Sequence, residues 1–304
     1  MEEQKENQEK AEQNRRKNWH DKYYKILLII PALLLLFSLI YLFSFYKEKG
    51  DIINKDISLK GGTSITVFSQ TDINQLKIFL EKKFADYNVR EISDLRTRKQ
   101  EAFIVEVAAE PPEVKKALEE YLGFDLTDKN SSTEFTGSSL SQNFYRQLRI
   151  AIILAFILMS IVVFLIFKTF VPSFAVILSA FADIVMSLAL VNLLEIKISA
   201  AGIVAFLMLI GYSVDSDILL TTKILKRRDS SLNSRIFSAF KTGLTMTLTS
   251  IAAVIVSLLI VFSLSNTLAQ IFTILTIGLS FDLINTWITN LGILKFYAER
   301  KGIE

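Results

Sequence analysis

Long apolar runs divide the chain into membrane-spanning segments and one large polar insertion. Each run has roughly 20 residues or more, the length at which an α-helix crosses a hydrocarbon core of about 30 Å. The runs occupy residues 26–46, 148–167, 170–194, 198–220, 241–262 and 268–294. Their apolar residues are clustered, whereas a soluble helix or strand would intersperse them with polar residues. The pattern therefore predicts six transmembrane helices.

These spans define the domain organisation that we expect. It consists of a polar tail at 1–25, a first transmembrane helix at 26–46, a polar domain at 47–146, five transmembrane helices within 147–297, and a short tail at 298–304. The first apolar run is too long for the core of a signal peptide and lacks a small-residue cleavage site, so we expect it to remain as an anchor. The N-terminal tail is too polar to form a core and is predicted to be disordered or to lie on a surface.

The polar domain is predicted to contain four strands and two helices in the order βαββαβ. Ile65 and Val67 alternate with polar residues, which is typical of a half-buried strand. The remaining elements are a helix at 72–84, strands at 89–98 and 102–108, a helix at 111–122 and a strand at 132–135. Two βαβ units on one small antiparallel sheet form an α+β, ferredoxin-like fold.

Basic residues in the short loops predict the orientation of the chain. With six spans, the N-terminal tail, Lys168, the loop between the fourth and fifth spans and the C-terminal tail share one side, and each is basic. The opposite short loops hold Lys197, close to Glu195, and the uncharged region 263–266. Because basic loops stay in the cytoplasm, we expect both termini to be cytoplasmic and the polar domain to be extracytoplasmic, in a plasma or inner membrane.

Several classes of function have no support in the sequence. The chain contains no cysteine, which excludes disulfides and thiolate sites, and its single histidine, His20, lies in the polar tail. The GxxxxGK, HExxH and GxSxG motifs are absent. We therefore expect no catalytic residue, no metal, no cofactor and no nucleic-acid partner.

Four carboxylates inside the predicted spans are the candidate functional residues. They are Asp183 in the third span, Asp215 and Asp217 in the fourth, and Asp282 in the sixth. A carboxylate at mid-helix costs about 2.5–3.5 kcal/mol on insertion scales, so its presence suggests a function such as proton relay. The alternative is that these residues only join helices by hydrogen bonds.

Asp215 is the preferred proton site on local grounds. Gly211, one turn earlier, would let another helix approach closely, and Ser213 and Ser216 would solvate the carboxylate. Asp215 and Asp217 point about 200° apart on a helix, so they cannot face one pocket. We expect one to line the working interface and the other, preferably Asp217, to face a second helix or to reach water near the cytoplasmic end.

Hydroxyl and amide residues accompany the carboxylates in the last two spans. The fifth span contains Thr242, Thr245, Thr247, Thr249 and Ser250. The sixth contains Asn285, Thr286, Thr289 and Asn290, and its residues Asp282, Asn285, Thr286 and Thr289 follow helical i, i+3, i+4, i+7 spacing. One polar stripe per helix suggests a shared interior path, although helix association alone would also account for it.

Three short motifs, taken with the six spans and the βαββαβ domain, resemble a known family. The motifs are Gly61-Gly62-Thr63 after the first span, Gly211-Tyr212-Ser213 ahead of Asp215 in the fourth, and Thr249-Ser250 in the fifth. They are similar to those of the SecF family of protein-export subunits, which belongs to the resistance–nodulation–division superfamily. The residues Val-Asp-Ser-Asp at 214–217 resemble its archaeal branch.

The resemblance implies a partner and a mechanism. Subunits of this family pair with a SecD sister subunit, work at a SecYEG-type translocon in the lipid bilayer, and assist an unfolded polypeptide in crossing the membrane. The family is thought to use the proton-motive force, and the acidic residue of the Gly-Tyr-Ser motif corresponds by position to Asp215. The bacterial Asn-Asp pair is replaced here by Asp215-Ser216, and the bacterial arginine of the fifth span falls at about Thr245.

Three alternatives remain at this point. One is an efflux transporter of lipids or small molecules from the same superfamily, although such pumps typically hold twelve spans and this chain has six. A second is an intramembrane aspartyl protease, whose Tyr-Asp and Gly-x-Gly-Asp motifs are missing. The third is a structural subunit of the export machinery without ion coupling. The coupling ion, proton or sodium, is also open.

Overall fold

A computed structural model describes residues 24–93, 97, 99–226, 231–262 and 265–302. Several regions discussed above lie outside the described residues. They are the N-terminal tail to residue 23, which includes His20, part of the predicted strand at 89–98, part of the basic loop at 227–230, and positions 263–264.

Six helices in the described part of the chain are long and apolar enough to cross a membrane. They are α1 (Ile29–Lys49), α5 (Ser138–Phe167), α6 (Phe170–Leu193), α7 (Ala200–Leu225), α8 (Leu232–Val261), and α9 (Asn266–Ile284) with its continuation. The predicted fold class, a six-span α-helical membrane protein, is confirmed.

Two of these helices begin about ten residues before the apolar runs. Helix α5 starts at Ser138 and α8 at Leu232, because the polar residues ahead of each run remain helical outside the apolar segment. Helix α7 is capped at its start, where the Ser199 side chain accepts from the backbone N–H of Gly202. In α6, Pro172 lies in the first turn, where its missing N–H costs nothing.

The last span is not one regular helix. Helix α9 passes at Ile284 into a π-helical turn (Asn285–Asn290), which continues as α10 (Leu291–Arg300). A π turn inserts one extra residue into the helical repeat and therefore changes which side chains share a face. Such turns are frequently found at functional sites.

Helices α6 and α7 form the interior of the bundle. Two thirds of the apolar segment of α6 (67%) is buried inside the chain, compared with 6% for α8. On α7, Leu209 is fully buried and packs in one cluster with Leu275 and Leu279 of α9. The outer helices α1, α5 and α8 leave most of their apolar surface to lipid or to a partner.

The polar domain between α1 and α5 has the predicted βαββαβ order. Its elements are β1 (Gly62–Val67), α3 (Ile73–Glu81), β2 (Tyr87–Ser93), β3 (Gln100–Val107), α4 (Pro111–Leu122) and β4 (Ser131–Thr136). The sheet is antiparallel in the order β2-β3-β1-β4. Phe103 and Val105 of β3 face Leu76 and Leu118 of the two helices in one buried core, which gives the ferredoxin-like arrangement.

A short helix, α2 (Ile57–Lys60), and the Gly61-Gly62 turn connect α1 to this sheet. Asp56 caps α2 by accepting from the backbone N–H of Ile57. Gly61 and Gly62 have φ values of 88° and 146°, and a Cβ at either would meet backbone atoms, of Ser138 and Val107 respectively. The motif is therefore needed where β1 passes the start of α5.

Candidate functional site

Three of the four intramembrane carboxylates meet in the interior of the bundle. Asp183 of α6, Asp217 of α7 and Asp282 of α9 are all at most 1% exposed. Asp215 is exposed on the opposite face of α7. The separation follows from helix geometry, since residues two positions apart point about 200° from each other.

Asp183 connects three helices. The hydroxyl of Ser213 on α7 donates to its Oδ2, and Nδ2 of Asn285 in the π turn donates to its Oδ1 at 2.7 Å. Both carboxylate oxygens therefore accept a hydrogen bond from a neighbouring span.

Asp217 and Asp282 approach each other through one hydroxyl group. Thr286 Oγ1 lies 2.9 Å from Asp217 Oδ1 and 3.0 Å from Asp282 Oδ1. Asn290 donates to Asp217 Oδ1 at 2.7 Å, and Ser216 Oγ lies 3.1 and 3.2 Å from the two oxygens of Asp282. The last span and α7 are thus joined by a continuous set of polar contacts.

The cluster has no cationic partner in the part of the chain that the structure describes. Every ion pair found there lies outside the bundle core, and none includes Asp183, Asp217 or Asp282. Removing a charged carboxylate from water without a counter-charge costs several kcal/mol. The three groups therefore cannot all be ionised together.

Two sequence predictions about α7 are wrong. Ser213 and Ser216 do not solvate Asp215; they bond to Asp183 and Asp282, because they lie on the inner face of the helix. Of the two alternatives expected for Asp217, the structure has the first: it faces a second helix, fully buried against the last span, and does not reach water. A Cβ at Gly211 would meet nothing within 4 Å, so no helix within the described residues approaches there.

The outer face of α7 combines Asp215 with the glycine and tyrosine of the motif. Gly211 is exposed and Tyr212 is 45% exposed. Helix α7 therefore has an inner face that contacts the other carboxylates and an outer face that the described part of this chain leaves uncovered.

The fifth-span polar residues do not form a single inward stripe. Thr247 is buried and lies beside Asp282. Thr245 and Thr249 are exposed and donate to carbonyl groups of their own helix, and Ser250 is half-buried. Only one hydroxyl of this helix therefore belongs to the interior cluster.

Two cluster members would have been difficult to assign from sequence. Asn290 follows Asp282 by eight residues and lies on the same helical stripe, but the spacing alone does not say that it donates to Asp217 of α7. Ser179 lies beside Asp217 and precedes Asp183 by one helical turn on the same face of α6, and that spacing is the sequence signal that could identify it.

The loop between α6 and α7 attaches the polar domain to the bundle. Lys197 Nζ lies 2.6 Å from Asp86 Oδ1, and Lys60 lies 2.6 Å from Asp86 Oδ2. Burial alone would raise the pKa of Asp86, but hydrogen bonds and charge from these two ammonium groups outweigh it and hold the pKa below its ordinary value. Asp86 is therefore an anionic bridge between the domain and the membrane helices.

Backbone contacts reinforce this attachment. The N–H of Asp56 donates to the carbonyl of Ile198 at 2.9 Å, and the N–H of Ile198 donates to the carbonyl of Asn54 at 2.6 Å. At the end of α6, Asn192 donates to the carbonyl of Ile52 at 2.8 Å. Since α6 and α7 also carry Asp183 and Asp217, the same two helices contact both the carboxylate cluster and the polar domain.

Comparison with known proteins identifies consistent relatives. Residues 114–300 match the family described as "Protein export membrane protein SecD/SecF, C-terminal". The chain is 42% identical to a protein-export membrane protein SecF from Methanocaldococcus jannaschii, over 91% of this chain and 96% of that protein. It is 36% identical to a SecF from Pyrococcus furiosus, over 92% and 93% of the two chains.

A solved structure supports the fold. The crystal structure of SecDF from Thermus thermophilus superposes with a TM-score of 0.70 at 18% sequence identity. The match covers 91% of this chain but 38% of the SecDF chain, so this chain spans less than half the length of that protein. A SecDF structure in its super-membrane-facing form gives a TM-score of 0.59.

Proposed function

The chain belongs to the SecF family of protein-export membrane proteins, and on this basis we propose that it assists protein translocation together with a SecD sister subunit. It is a multi-pass membrane protein surrounded by lipid. The proposed substrate is an unfolded polypeptide that crosses a SecYEG-type translocon. The distribution of lysine and arginine supports cytoplasmic termini and an extracytoplasmic polar domain.

The uncovered face of α7 supports a second membrane half as the direct partner. Asp215 is exposed within the span, where contact with lipid would cost about 2.5–3.5 kcal/mol. The matching SecDF chain is more than twice as long as this chain, which leaves room in that protein for a second half. SecD is thus proposed to cover Asp215, Gly211 and Tyr212.

The proton-motive force is the proposed source of energy for translocation. The observation that supports this proposal is the buried carboxylate cluster. Asp183, Asp217 and Asp282 lie on three spans, lack a described cationic partner and cannot all be ionised together. One charge that crosses the membrane contributes about 2.3 kcal/mol per 100 mV, which shifts a two-state equilibrium by a factor of tens. No covalent step is needed, and none is proposed.

The attachment of the polar domain provides a route from the cluster to the substrate side. A change in protonation alters the charge between α6, α7 and α9. Helices α6 and α7 continue into the loop whose Lys197 binds Asp86 of the domain. Small movements of these helices are therefore proposed to reorient the domain against the emerging polypeptide.

A structural subunit without ion coupling is the competing function. It is favoured by the hydrogen bonds that each buried carboxylate makes to a neighbouring helix, since such bonds alone associate helices in membranes. The family relationship supports export over the efflux and protease alternatives.

Export into vesicles that contain this chain, SecD and the translocon distinguishes the two functions. We expect a proton gradient to accelerate export, and Asp282→Asn and Asp215→Asn each to reduce that acceleration towards the rate without a gradient. Asp128→Asn, an exposed carboxylate of the polar domain, is the control. An unchanged gradient response in both intramembrane variants would establish the structural function instead.

A further inference from the structure

Thr286 occupies an unusual position among the membrane threonines. Threonines in helices commonly donate to the carbonyl four residues earlier, and Thr221, Thr242, Thr245, Thr249, Thr273 and Thr276 all do so. At Thr286 the structure instead records two carboxylate acceptors, Asp282 of its own helix and Asp217 of α7. Its hydroxyl is therefore committed to the carboxylates.

The hydroxyl of Thr286 has one hydrogen but two close contacts with carboxylate oxygens. A hydroxyl carries one hydrogen and can donate one hydrogen bond, yet Oγ1 lies 2.9 and 3.0 Å from two carboxylate oxygens. Two oxygens at that distance without a hydrogen between them would repel each other. A proton on one of the two carboxyl groups, donated to Thr286, accounts for both short distances, and Ser216 Oγ is a third, longer contact at 3.4 Å.

Unpartnered oxygens mark the second position for this proton. Asp217 Oδ2, Ser179 Oγ and Asn290 Oδ1 are buried without a hydrogen-bond partner, and all three residues are 0% exposed. Ser179 lies beside Asp217. The Ser179 hydroxyl is therefore placed to act on the second oxygen of Asp217, while Thr286 acts on the first.

We propose that Asp217 and Asp282 share one proton through the hydroxyl of Thr286, and that this bridge carries the proton between the last span and α7. The inference rests on the ion coupling proposed above and specifies the residues that perform it. It assigns a function to two residues of the π turn, Thr286 and Asn290, which both contact Asp217.

The transfer conserves atoms and charge. In one state Asp282 is protonated and donates to Thr286, which donates to an ionised Asp217. In the other, the O–H bond of Asp282 has broken, Thr286 has accepted that hydrogen and passed its own to Asp217, and the negative charge lies on Asp282. No bond other than O–H bonds changes.

A proton fits this geometry better than a sodium ion. Among the described residues, no group of three or more His, Cys, Asp or Glu side chains is placed to hold a metal ion. The Thr286 hydroxyl itself occupies the space between the two carboxylates at hydrogen-bonding distance. A bound cation would require that hydroxyl to move aside.

Infrared difference spectroscopy tests the bridge in the complex of this chain with SecD in lipid. We expect Thr286→Val to shift the protonated carboxyl stretch to higher frequency, because the hydrogen bond to threonine is lost, and Thr286→Ser to restore it. Thr276→Val, on the same span, is the control and should leave the band unchanged. Ser179→Ala provides a second test. It removes the hydroxyl beside Asp217 and should shift the same carboxyl band, while the Thr286 bridge stays intact.

Parallel export measurements separate the bridge from the proposed function. Gradient-driven acceleration should fall at least about tenfold in Thr286→Val and recover in Thr286→Ser, since positioned proton transfer typically contributes a factor of 10² or more.

An identical carboxyl band in wild type, Thr286→Val and Ser179→Ala overturns the bridge even if export is proton-driven. A shifted band with unchanged acceleration overturns the relay role. Loss of the band on adding sodium at constant pH overturns the assignment to a proton.

If wild-type export shows no gradient dependence but the band shifts as expected, the proposed coupling fails while the shared proton stands. The two failures are therefore distinguishable.

Discussion

On α7, two carboxylates only two positions apart lie in different surroundings. Asp217 is buried among hydroxyl and amide groups, whereas Asp215 is exposed on the outer face. The sequence motif drew attention to Asp215, but the polar contacts of this chain converge on Asp217. The two residues thus suit different tasks: contact with a second membrane half for Asp215, and interaction within the bundle for Asp217.

The Gly-Gly-Thr motif has a structural explanation at the same scale. Gly62 has a φ of 146°, and a Cβ there would collide with the Val107 carbonyl oxygen. Thr63 adds a hydrogen bond of 2.6 Å from its hydroxyl to the carbonyl of Ala109. The motif holds β1 tightly against the end of β3.

Replacing this glycine should destabilise the polar domain. We expect Gly62→Ala to cost about 1–3 kcal/mol through backbone strain alone, with the collision adding to it. Thermal unfolding of the whole chain in detergent, followed by tyrosine fluorescence, measures the change. Gly137→Ala is the matched control, because a Cβ there would meet nothing within 4 Å, and it should stay within about 0.5 kcal/mol of wild type. Equal stability of the two variants would contradict the strain argument.

At the scale of elements, the sequence predicts helices and strands well because burial is periodic. Phe103, Val105 and Val107 occupy alternate positions of β3, with Ile104 and Glu106 between them, and all three are buried in the domain core as the period of two indicates. The six spans follow directly from apolar run length. Local hydrophobicity is sufficient for these features.

The carboxylate site required information that the local pattern lacks. Which face of α7 turns inward depends on packing between helices distant in sequence, so Ser213 and Ser216 could not be assigned to Asp183 and Asp282 beforehand. The π turn is likewise not encoded by a simple hydrophobic period. The contact of Asn290 with Asp217 also depends on how the last span packs against α7.

The attachment between the α6–α7 loop and the polar domain is expected to depend on pH. The pKa of Asp86 is lowered from its ordinary value of 3.8 in the folded state, so its contribution is present above that value and is lost as pH falls through the lowered pKa. Acidification on the extracytoplasmic side below about pH 4 should therefore release the Lys197–Asp86 contact.

Spin-label distances measure this release directly. The chain lacks cysteine, so labels on Lys116→Cys in the domain and Leu193→Cys at the end of α6 report on the attachment alone. We expect the distance distribution to broaden on acidification in the otherwise wild-type chain. In Lys197→Met the distance distribution should already be broad at neutral pH, and acidification should change it less than in the chain with Lys197. A distribution that is narrow and constant in both proteins would show that the ion pair does not hold the domain.

At the scale of the whole molecule, a continuous set of contacts connects the bundle interior to the polar domain. The buried carboxylates lie on α6, α7 and α9, and the α6–α7 loop binds the domain through Lys197 and Ile198. Gln270 at the start of α9 donates to the carbonyl of Lys197. All three carboxylate-bearing helices therefore meet the same loop, as the proposed conversion of protonation into domain movement requires.

Proton flux during export tests this account most directly. Vesicles that contain the chain, SecD, the translocon and a luminal pH-sensitive dye would report protons that cross the membrane while a polypeptide is exported. We predict export-linked proton flux in wild type and Asp128→Asn, and a flux at least about tenfold smaller in Asp217→Asn. Equal flux in Asp217→Asn and wild type would contradict the assignment of coupling to the buried carboxylates.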